Sequence, residues 1–209
     1  AIGLLEAGLT LRRAAWIDLA AQRLGRVVGA SIDSQGVMNE GAIFYQRYWY
    51  ARAALARDRL RASGRAVPAA FARVDRMPSL LAHATLPDAT YETIGDTNRG
   101  SALRIPGTIA EYAATRGRSG PVPTSRFATF SRGYALGRSG WGLARPYTDE
   151  TFYSVRFGPP AATVHGHADG SAVTLYGYGS RLLVDPGYYT VSAGAWRTFF
   201  RGRTAHNVV

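Results

Sequence analysis

Residues 165–187 read HGHADGSAVTLYGYGSRLLVDPG, and this stretch decides how the C-terminal part of the chain is expected to fold. Small or polar residues alternate with larger apolar ones over residues 171–178, Gly179-Ser180 is a turn signal, and residues 181–184 supply a return strand. A hairpin of this form brings Asp185 back beside His165 and His167. The two histidines are separated by one residue on a strand, so their imidazoles face the same side.

These residues form a candidate metal site. Two imidazoles, the Asp185 carboxylate and a later histidine, His206, would give a divalent cation three or four ligands, and zinc suits nitrogen and oxygen ligands of this kind. The competing interpretation is that the paired histidines are polar residues on the solvent-exposed face of a strand and that Asp-Pro-Gly is an ordinary turn. Three of the four histidines lie in this region, which favours the metal site.

Several short motifs in this region resemble one family. They are His165-Gly166-His167-Ala168-Asp169, the LLVDPGYY of residues 182–189, Trp196-Arg197 and the AHNVV of residues 205–209. Together and in this order they resemble the β-domain signature of the heparinase II/III-like polysaccharide lyases. The resemblance implies that His165 is the active-site histidine, that His167 and Asp185 are zinc ligands, and that His206 is the best candidate for the third ligand.

The N-terminal half carries a second part of the resemblance. Residues 33–46 read DSQGVMNEGAIFYQ and are similar to the last segment of the α/α toroid in the same lyases, where a glutamate precedes a catalytic tyrosine. Tyr45 matches that tyrosine. The alternative is that Tyr45 belongs to an aromatic cluster that packs a helix, since an aromatic residue at helical spacing is usually core. The resemblance also implies substrate contacts for Glu40, Arg138 and Arg201.

Hydrophobic periodicity predicts two regions of different class. Residues 1–90 read as helices, with a second helix that carries Phe44, Tyr48, Ala51 and Leu55 along one face. Pro68 can start a third helix, which Pro78 kinks or ends. Residues 91–125 read as a turn-rich connector, and from about residue 126 to 209 the period becomes two. We therefore expect an α+β multidomain fold: the C-terminal helices of an (α/α) toroid followed by an antiparallel β-sandwich domain, both incomplete.

Composition favours a polyanionic partner. The 209 residues include 25 basic and 14 acidic side chains, a net charge of +11, and every basic residue is an arginine. Arginine binds carboxylate, sulfate and phosphate groups bidentately, so an acidic polysaccharide and a nucleic acid both fit; GC-rich coding would also explain the arginine. The absence of cysteine excludes disulfides and thiolate chemistry. No apolar run is long enough to span a bilayer.

The predicted function is cleavage of a uronic-acid-containing anionic polysaccharide by zinc-supported β-elimination. In this prediction Tyr45 is the general acid. It also serves as the base if nearby positive charge perturbs its phenol. His165 is a base or a charge stabiliser. The family also uses an asparagine on an earlier helix to neutralise the substrate carboxylate, and residues 1–32 contain neither asparagine nor histidine. We therefore expect an internal fragment of a longer enzyme, which on its own need not be active. The substrate class favours a secreted or periplasmic protein.

Three alternatives stay open. A cupin-like metal protein also places His-x-His on a strand, and iron dependence without uronate binding would favour it. A nucleic-acid binder is supported by charge alone, and steep salt dependence without a chelator effect would favour it. A non-catalytic acidic-carbohydrate-binding module would bind oligouronates and release no unsaturated product.

Overall fold

The computed structural model describes residues 1–157 and 165–209 and divides into two compact units. The first unit contains residues 1–38 and 48–77, and the second contains residues 39–47 and 78–209. The domain boundaries at residues 90 and 125, which rest on a change of hydrophobic period, stay a prediction. No helix in the described ranges is both long and apolar enough to cross a membrane.

Helices build the first unit. They are α1 (Ile2–Thr10), α2 (Ala14–Ser31), α3 (Ile43–Ala62, whose first five residues belong to the second unit) and a 3-10 helix (Ala69–Arg76). Apolar residues at helical spacing on α2 face the core: Ile17, Ala20, Leu24 and Val28. Phe71 and Val74 of the 3-10 helix join the same cluster. Pro68 precedes this 3-10 helix, as predicted, and Pro78 falls in the first turn of the next helix, where its missing N–H costs no hydrogen bond.

The face of α3 that was predicted to be apolar is not the buried one. Tyr48 and Leu55 are exposed, whereas Ala53, Ala56 and Leu60 are buried. Two of the three buried residues are small alanines, which a search for large apolar side chains at helical spacing does not single out.

The second unit contains an antiparallel sheet and short helices. The sheet of the described residues has the strand order β1-β2-β3-β4-β5, a simple meander. Its strands are β1 (Phe127–Phe130), β2 (Tyr134–Arg138), β3 (Phe152–Arg156), β4 (Val173–Gly177) and β5 (Ser180–Leu183). The helices are α4 (Met77–His83, whose first residue belongs to the first unit), α5 (Ile109–Ala114) and α6 (Ala195–Arg201). The predicted α+β class is confirmed.

The predicted β4–β5 hairpin is present, with its turn one residue earlier than expected. Gly177 pairs with Ser180, and the two residues between them, Tyr178 and Gly179, both have positive φ angles of 52° and 74°. Two central residues with positive φ are what a type I′ turn requires, and that turn matches the twist of the flanking strands. The hairpin therefore returns the chain to Asp185, as the sequence predicted.

Two local predictions were wrong. Residues 126–134 were interpreted as one alternating run, but residues 131–133 form the turn between β1 and β2. The stretch that includes Trp196 was interpreted as strands and turns, yet it forms α6. The connector contains α5, and its residues 91–97 are buried in the second unit.

Candidate active site and metal centre

The Asp96 carboxylate is the centre of the candidate site. Its Oδ1 lies 2.9 Å from His167 Nε2, and its Oδ2 lies 3.1 Å from His165 Nδ1. Arg197 Nη2 donates a third hydrogen bond, of 3.1 Å, to Oδ2. Burial acts to raise the pKa of Asp96, but the hydrogen bonds from the two imidazoles and the guanidinium outweigh it and lower that pKa to about 2. Asp96 is therefore a carboxylate at neutral pH.

A tight loop places Asp96. Gly95 has a φ of +62°, and a Cβ at this position would overlap the Gly41 carbonyl oxygen. The Asp96 backbone N–H donates to the His165 carbonyl oxygen at 2.9 Å. Only glycine fits a left-handed conformation with backbone so close on its Cβ side. The loop thus packs against both residues 41–42 and the segment that carries the two histidines.

The same loop fixes the start of α3. Thr97 Oγ1 accepts a hydrogen bond of 3.1 Å from the backbone N–H of Phe44 and donates one of 2.5 Å to the Ile94 carbonyl oxygen. The first N–H groups of a helix have no partner within the helix, so a side-chain oxygen from another segment satisfies one of them here. This contact holds Tyr45, the next residue of α3, beside the histidine segment.

Tyr45 lies on His165. The two ring centroids are 3.6 Å apart and the rings are inclined by 18°, a stacked arrangement. Burial raises the pKa of the Tyr45 phenol, and the negative charges of Asp96 and then Glu40 raise it further against the opposing effect of Arg197. The phenol therefore keeps its proton at neutral pH. This places Glu40 in the electrostatic surroundings of Tyr45, on the short segment that leads into α3.

His167, Asp185 and His206 form a candidate metal centre. All three are buried, and one ligand atom from each lies within 4.8 Å of the others. His206 Nδ1 is 2.7 Å from Asp185 Oδ2. The other ring nitrogens, His167 Nδ1 and His206 Nε2, are buried and have no hydrogen-bond partner among the described residues. A buried polar atom without a partner is costly, so a cation bound there would satisfy two such atoms at once.

Local backbone contacts hold Asp185 in this centre. Its Oδ1 accepts a hydrogen bond of 2.9 Å from the Gly187 N–H, and its carbonyl oxygen accepts one of 2.8 Å from Thr93 Oγ1. The first is the turn-forming contact that an aspartate before Pro-Gly is expected to make. Thr93 lies only three residues before Asp96, so the same segment supports both carboxylates. The predicted approach of Asp185 to His167 is observed, whereas His165 turns to Asp96 instead.

The predicted substrate-binding arginines have other partners. Arg138 is buried; its guanidinium donates to the Thr85 carbonyl oxygen at 2.5 Å and lies over the Trp141 ring at 3.6 Å. These contacts fix the Arg138 guanidinium, and its predicted contact with substrate stays a prediction. Arg201 Nη2 donates to the Gly166 carbonyl oxygen at 2.8 Å, so it contacts the backbone between the two histidines, and its substrate contact also stays a prediction.

Sequence reasoning missed Asp96 and Arg197 as site residues. Asp96 lies in a stretch that was interpreted as turn-rich connector, and nothing in its spacing points to histidines 69 and 71 residues away. Arg197 belongs to a quoted motif, but its role depends on α6, which was not predicted. Asp169 was quoted without a role; its Oδ1 is buried without a partner among the described residues, while its Oδ2 faces Arg156 Nε at 3.4 Å.

Solved structures of heparinase III share this fold. One, described as the heparinase III BT4657 gene product, matches with a TM-score of 0.78 at 21% identity, over 92% of this chain and 32% of that chain. Heparan sulfate lyase HepC from Pedobacter heparinus matches with a TM-score of 0.76 at 19% identity, over 90% and 32%. A further heparinase III structure gives 0.79 at 19% identity, over 99% and 37%. The chain spans about a third of the length of these proteins.

The fold, a helical unit and an antiparallel sheet, is therefore of the kind seen in heparinase III. Residues 131–209 match the family described as heparinase II/III-like, C-terminal. The resemblance predicted from the motifs is confirmed. No curated protein matches the chain. Tyr45 and Asp96 lie outside the matched residues. The folding of the chain brings both residues beside His165.

Proposed function

We propose that this chain carries the catalytic residues of a polysaccharide lyase that cleaves a uronic-acid-containing polymer by β-elimination. The observation that carries the proposal is the stack of Tyr45 on His165, with the Asp96 carboxylate behind the imidazole. A phenol and an imidazole at one point provide a proton donor and a proton acceptor, as elimination requires. The names of the similar structures, heparinase III and heparan sulfate lyase, support the same substrate class.

The reaction moves one proton to a base and one from an acid. The base removes the proton from C5 of the uronate, alpha to the carboxylate, and the electron pair of that C–H bond forms the C4–C5 double bond. The C4–O bond breaks, and the acid protonates the departing oxygen. The step is difficult because negative charge develops on the uronate carboxylate, so neighbouring positive charge lowers the barrier.

The surroundings of His165 and Tyr45 indicate which residue is the base and which is the acid. Because Nδ1 of His165 faces Asp96 Oδ2, the neutral tautomer carries its proton on Nδ1 and offers the Nε2 lone pair as the base. The raised pKa of Tyr45 keeps the phenol protonated and makes it the acid. A tyrosine that also served as base would need a lowered pKa, and Asp96 and Glu40 have the opposite effect. Asp96 therefore acts as a positioning residue.

The metal centre is proposed to support this arrangement. His167, Asp185 and His206 would hold the ion, and two imidazoles with one carboxylate are a donor set that zinc accepts. When bound, zinc supplies a fixed positive charge that orders its ligands. His167 connects the two parts of the site, since its Nε2 contacts the same carboxylate that orients His165. We assign the centre an organising role.

The experiment measures ultraviolet absorbance of the full-length protein with heparan sulfate, hyaluronan and alginate. Elimination creates a conjugated C4–C5 double bond, which hydrolysis does not. We expect Tyr45→Phe to lower kcat by about 10²- to 10⁴-fold, the range that general acid catalysis contributes. Tyr48→Phe, which removes the hydroxyl of the next tyrosine along α3, is the matched control and should keep the wild-type rate.

Two results would count against the proposal. Full activity of Tyr45→Phe would remove Tyr45 from the chemistry. Binding of these polymers without any unsaturated product would make the protein a carbohydrate-binding module.

A further inference from the structure

Asp169 is a buried carboxylate that the proposed function does not use. Only 1% of this residue is exposed, and its Oδ1 has no hydrogen-bond partner among the described residues. Its Oδ2 faces Arg156 Nε at 3.4 Å. The Arg156 guanidinium also donates to the Gly133 carbonyl oxygen at 2.7 Å and lies over the Tyr134 ring at 4.1 Å. The ion pair with Arg156 therefore accounts for one oxygen of Asp169 and leaves the other without a donor.

The course of the backbone places Asp169 beside two of the proposed metal ligands. His167 is two residues earlier, and both side chains are buried whereas the residue between them is exposed, so both point into the protein. The Asp169 carbonyl oxygen accepts a hydrogen bond of 2.9 Å from the Ala172 N–H. Ala172 in turn pairs in an antiparallel bridge with Val208, two residues after His206. The segment that carries His206 thus runs beside the turn that carries Asp169.

Electrostatic interactions indicate the same proximity. Burial raises the pKa of Asp169, and the Arg156 guanidinium opposes this rise. The charges of Asp185, His206 and His167 also act on the same pKa, so all three proposed ligands lie within electrostatic range of the carboxylate. Asp169 is not one of the three residues whose ligand atoms lie within 4.8 Å of one another, so its carboxylate lies outside them. Three buried atoms of this region lack a partner among the described residues: His167 Nδ1, His206 Nε2 and Asp169 Oδ1.

We propose that Asp169 is an outer carboxylate of the metal centre and that its Oδ1 accepts a hydrogen bond from a water molecule on the bound zinc ion. This inference rests on the proposed centre of His167, Asp185 and His206. Zinc takes four ligands, so three protein ligands leave one position for water, and a buried water needs acceptors for its protons. Carboxylates outside the ligands orient them and raise the affinity for the metal. The competing role for Asp169 is to balance the charge of Arg156 alone.

The test measures the zinc Kd of the chelator-treated full-length protein by competition with a metal-binding indicator. In Asp169→Asn the amide oxygen can still face Arg156, but an NH₂ group then replaces Oδ1, a donor where an acceptor is required. We expect Asp169→Asn to raise the zinc Kd by about 10- to 100-fold. Arg156→Gln removes a positive charge and keeps the carboxylate, so it should leave the zinc Kd unchanged or lower it.

Two further variants control for loss of stability. Glu111→Gln changes another buried carboxylate, which pairs with Arg104, and should leave the zinc Kd unchanged. Removal of one partner of a buried ion pair can prevent folding, whereas removal of both charges is better tolerated. The double variant Asp169→Asn/Arg156→Gln should therefore fold and should show the same rise in zinc Kd. Thermal midpoints check that each variant is folded.

The outcomes separate this inference from the proposals on which it rests. A wild-type zinc Kd in the Asp169 variants, together with loss of zinc binding in His206→Ala, would overturn the outer carboxylate and keep the metal centre. A zinc Kd raised as much by Arg156→Gln as by Asp169→Asn would show that Asp169 acts only through the ion pair, and would overturn it too. A wild-type protein that binds no zinc would overturn both the centre and its outer carboxylate, whereas the ultraviolet assay decides the lyase proposal separately.

Discussion

At Asp96, one carboxylate orients two imidazoles that have different proposed tasks. Its Oδ2 faces the proposed base, His165, and its Oδ1 faces a proposed metal ligand, His167. Because His165 presents Nδ1 to Asp96, its Nε2 is available as the proposed base. Because His167 presents Nε2 to Asp96, its Nδ1 is available as the proposed metal ligand. A single side chain thus sets the tautomers of both histidines.

Asp96→Asn should therefore impair catalysis with little change in shape. The amide can replace one acceptor oxygen but offers an N–H where the second imidazole needs an acceptor, so one ring adopts the wrong tautomer. We expect kcat to fall by about 10²- to 10⁴-fold, as for loss of an orienting carboxylate in a catalytic triad. Steady-state kinetics measured by ultraviolet absorbance tests this, with the exposed Asp149→Asn as control. A variant that retains the wild-type kcat would show that Asp96 has no positioning role.

Removal of the proposed zinc ion should destabilise the protein, and this effect should depend on His206. Zinc that binds only the folded state at a hundred times its Kd adds about 2.7 kcal/mol, so a chelator should lower the thermal midpoint by about 5 to 10 °C. In His206→Ala the chelator should have almost no effect, because the centre has lost a ligand. His83→Leu, which changes the one histidine outside the site, should keep the full chelator response. An equal chelator response in His206→Ala would disprove the ligand assignment.

At the scale of elements, residues 93–97 join the parts of the site. This segment contacts Asp185 through Thr93, the histidine segment through Asp96 and the start of α3 through Thr97. No hydrogen-bond ladder of a helix or strand fixes it; its shape depends on Gly95 and on contacts with other segments. A substitution at Gly95 should therefore disturb several distant residues at once.

Gly95→Ala should be much more harmful than the same change at another glycine with positive φ. Gly107 has a φ of +75° and open space around an added Cβ, so Gly107→Ala should cost about 1 to 2 kcal/mol of unfolding free energy from backbone strain alone. Gly95→Ala adds overlap with the Gly41 carbonyl oxygen and should cost about 2 to 5 kcal/mol. Urea unfolding of both variants measures the difference. Equal losses would mean that the loop can move away from Gly41.

Helix α6 shows where periodicity fails as a predictor. Its seven residues are too short for a reliable helical period, and its exposed face is aromatic while its arginines face inward. A pattern search assumes that apolar residues point to the core, so this helix could not be recognised. The β4–β5 hairpin was recognised because its alternation and its glycine turn obey local rules that need no partner.

For the molecule as a whole, the stability should depend on the protonation of His83. Burial, and next the positive charge of Arg138, lower the pKa of this imidazole from 6.5 to about 4. The unfolded chain therefore binds a proton at a higher pH than the folded chain. Above about pH 6.5 the imidazole is neutral in both states, and His83 does not affect stability. As the pH falls from 6.5 to about 4, His83 should lower the free energy of unfolding by up to about 3 kcal/mol.

Urea unfolding between pH 7 and pH 4 checks this pH dependence. His83→Leu removes the titrating group from the same buried position and should show a shallower loss of stability over this interval than the wild type. Parallel pH profiles for the two proteins would show that His83 does not titrate differently in the folded state.

The limits of sequence reasoning follow from the same distinction between local and distant contacts. The proximity of the three proposed metal ligands could be predicted. The hairpin connects His167 with Asp185, and the small number of histidines in the chain points to His206. Tyr45 could be proposed only through a motif, since its partner His165 lies 120 residues further along the chain. Asp96 had no signal, because an aspartate in a glycine-containing turn has a sufficient local explanation.

The position of Asp96 in the chain also has a consequence for the order of folding. Its partners follow it by 69, 71 and 101 residues, whereas the β1–β2, β2–β3 and β4–β5 pairings join strands that are neighbours along the chain. Contacts of long sequence separation form late, since the intervening chain must first be ordered. On a ribosome, the carboxylate would emerge well before any of its partners. The sheet should therefore be assembled early and the residues proposed for proton transfer aligned last, so a partly unfolded chain would lose the proposed activity while it still kept its strands.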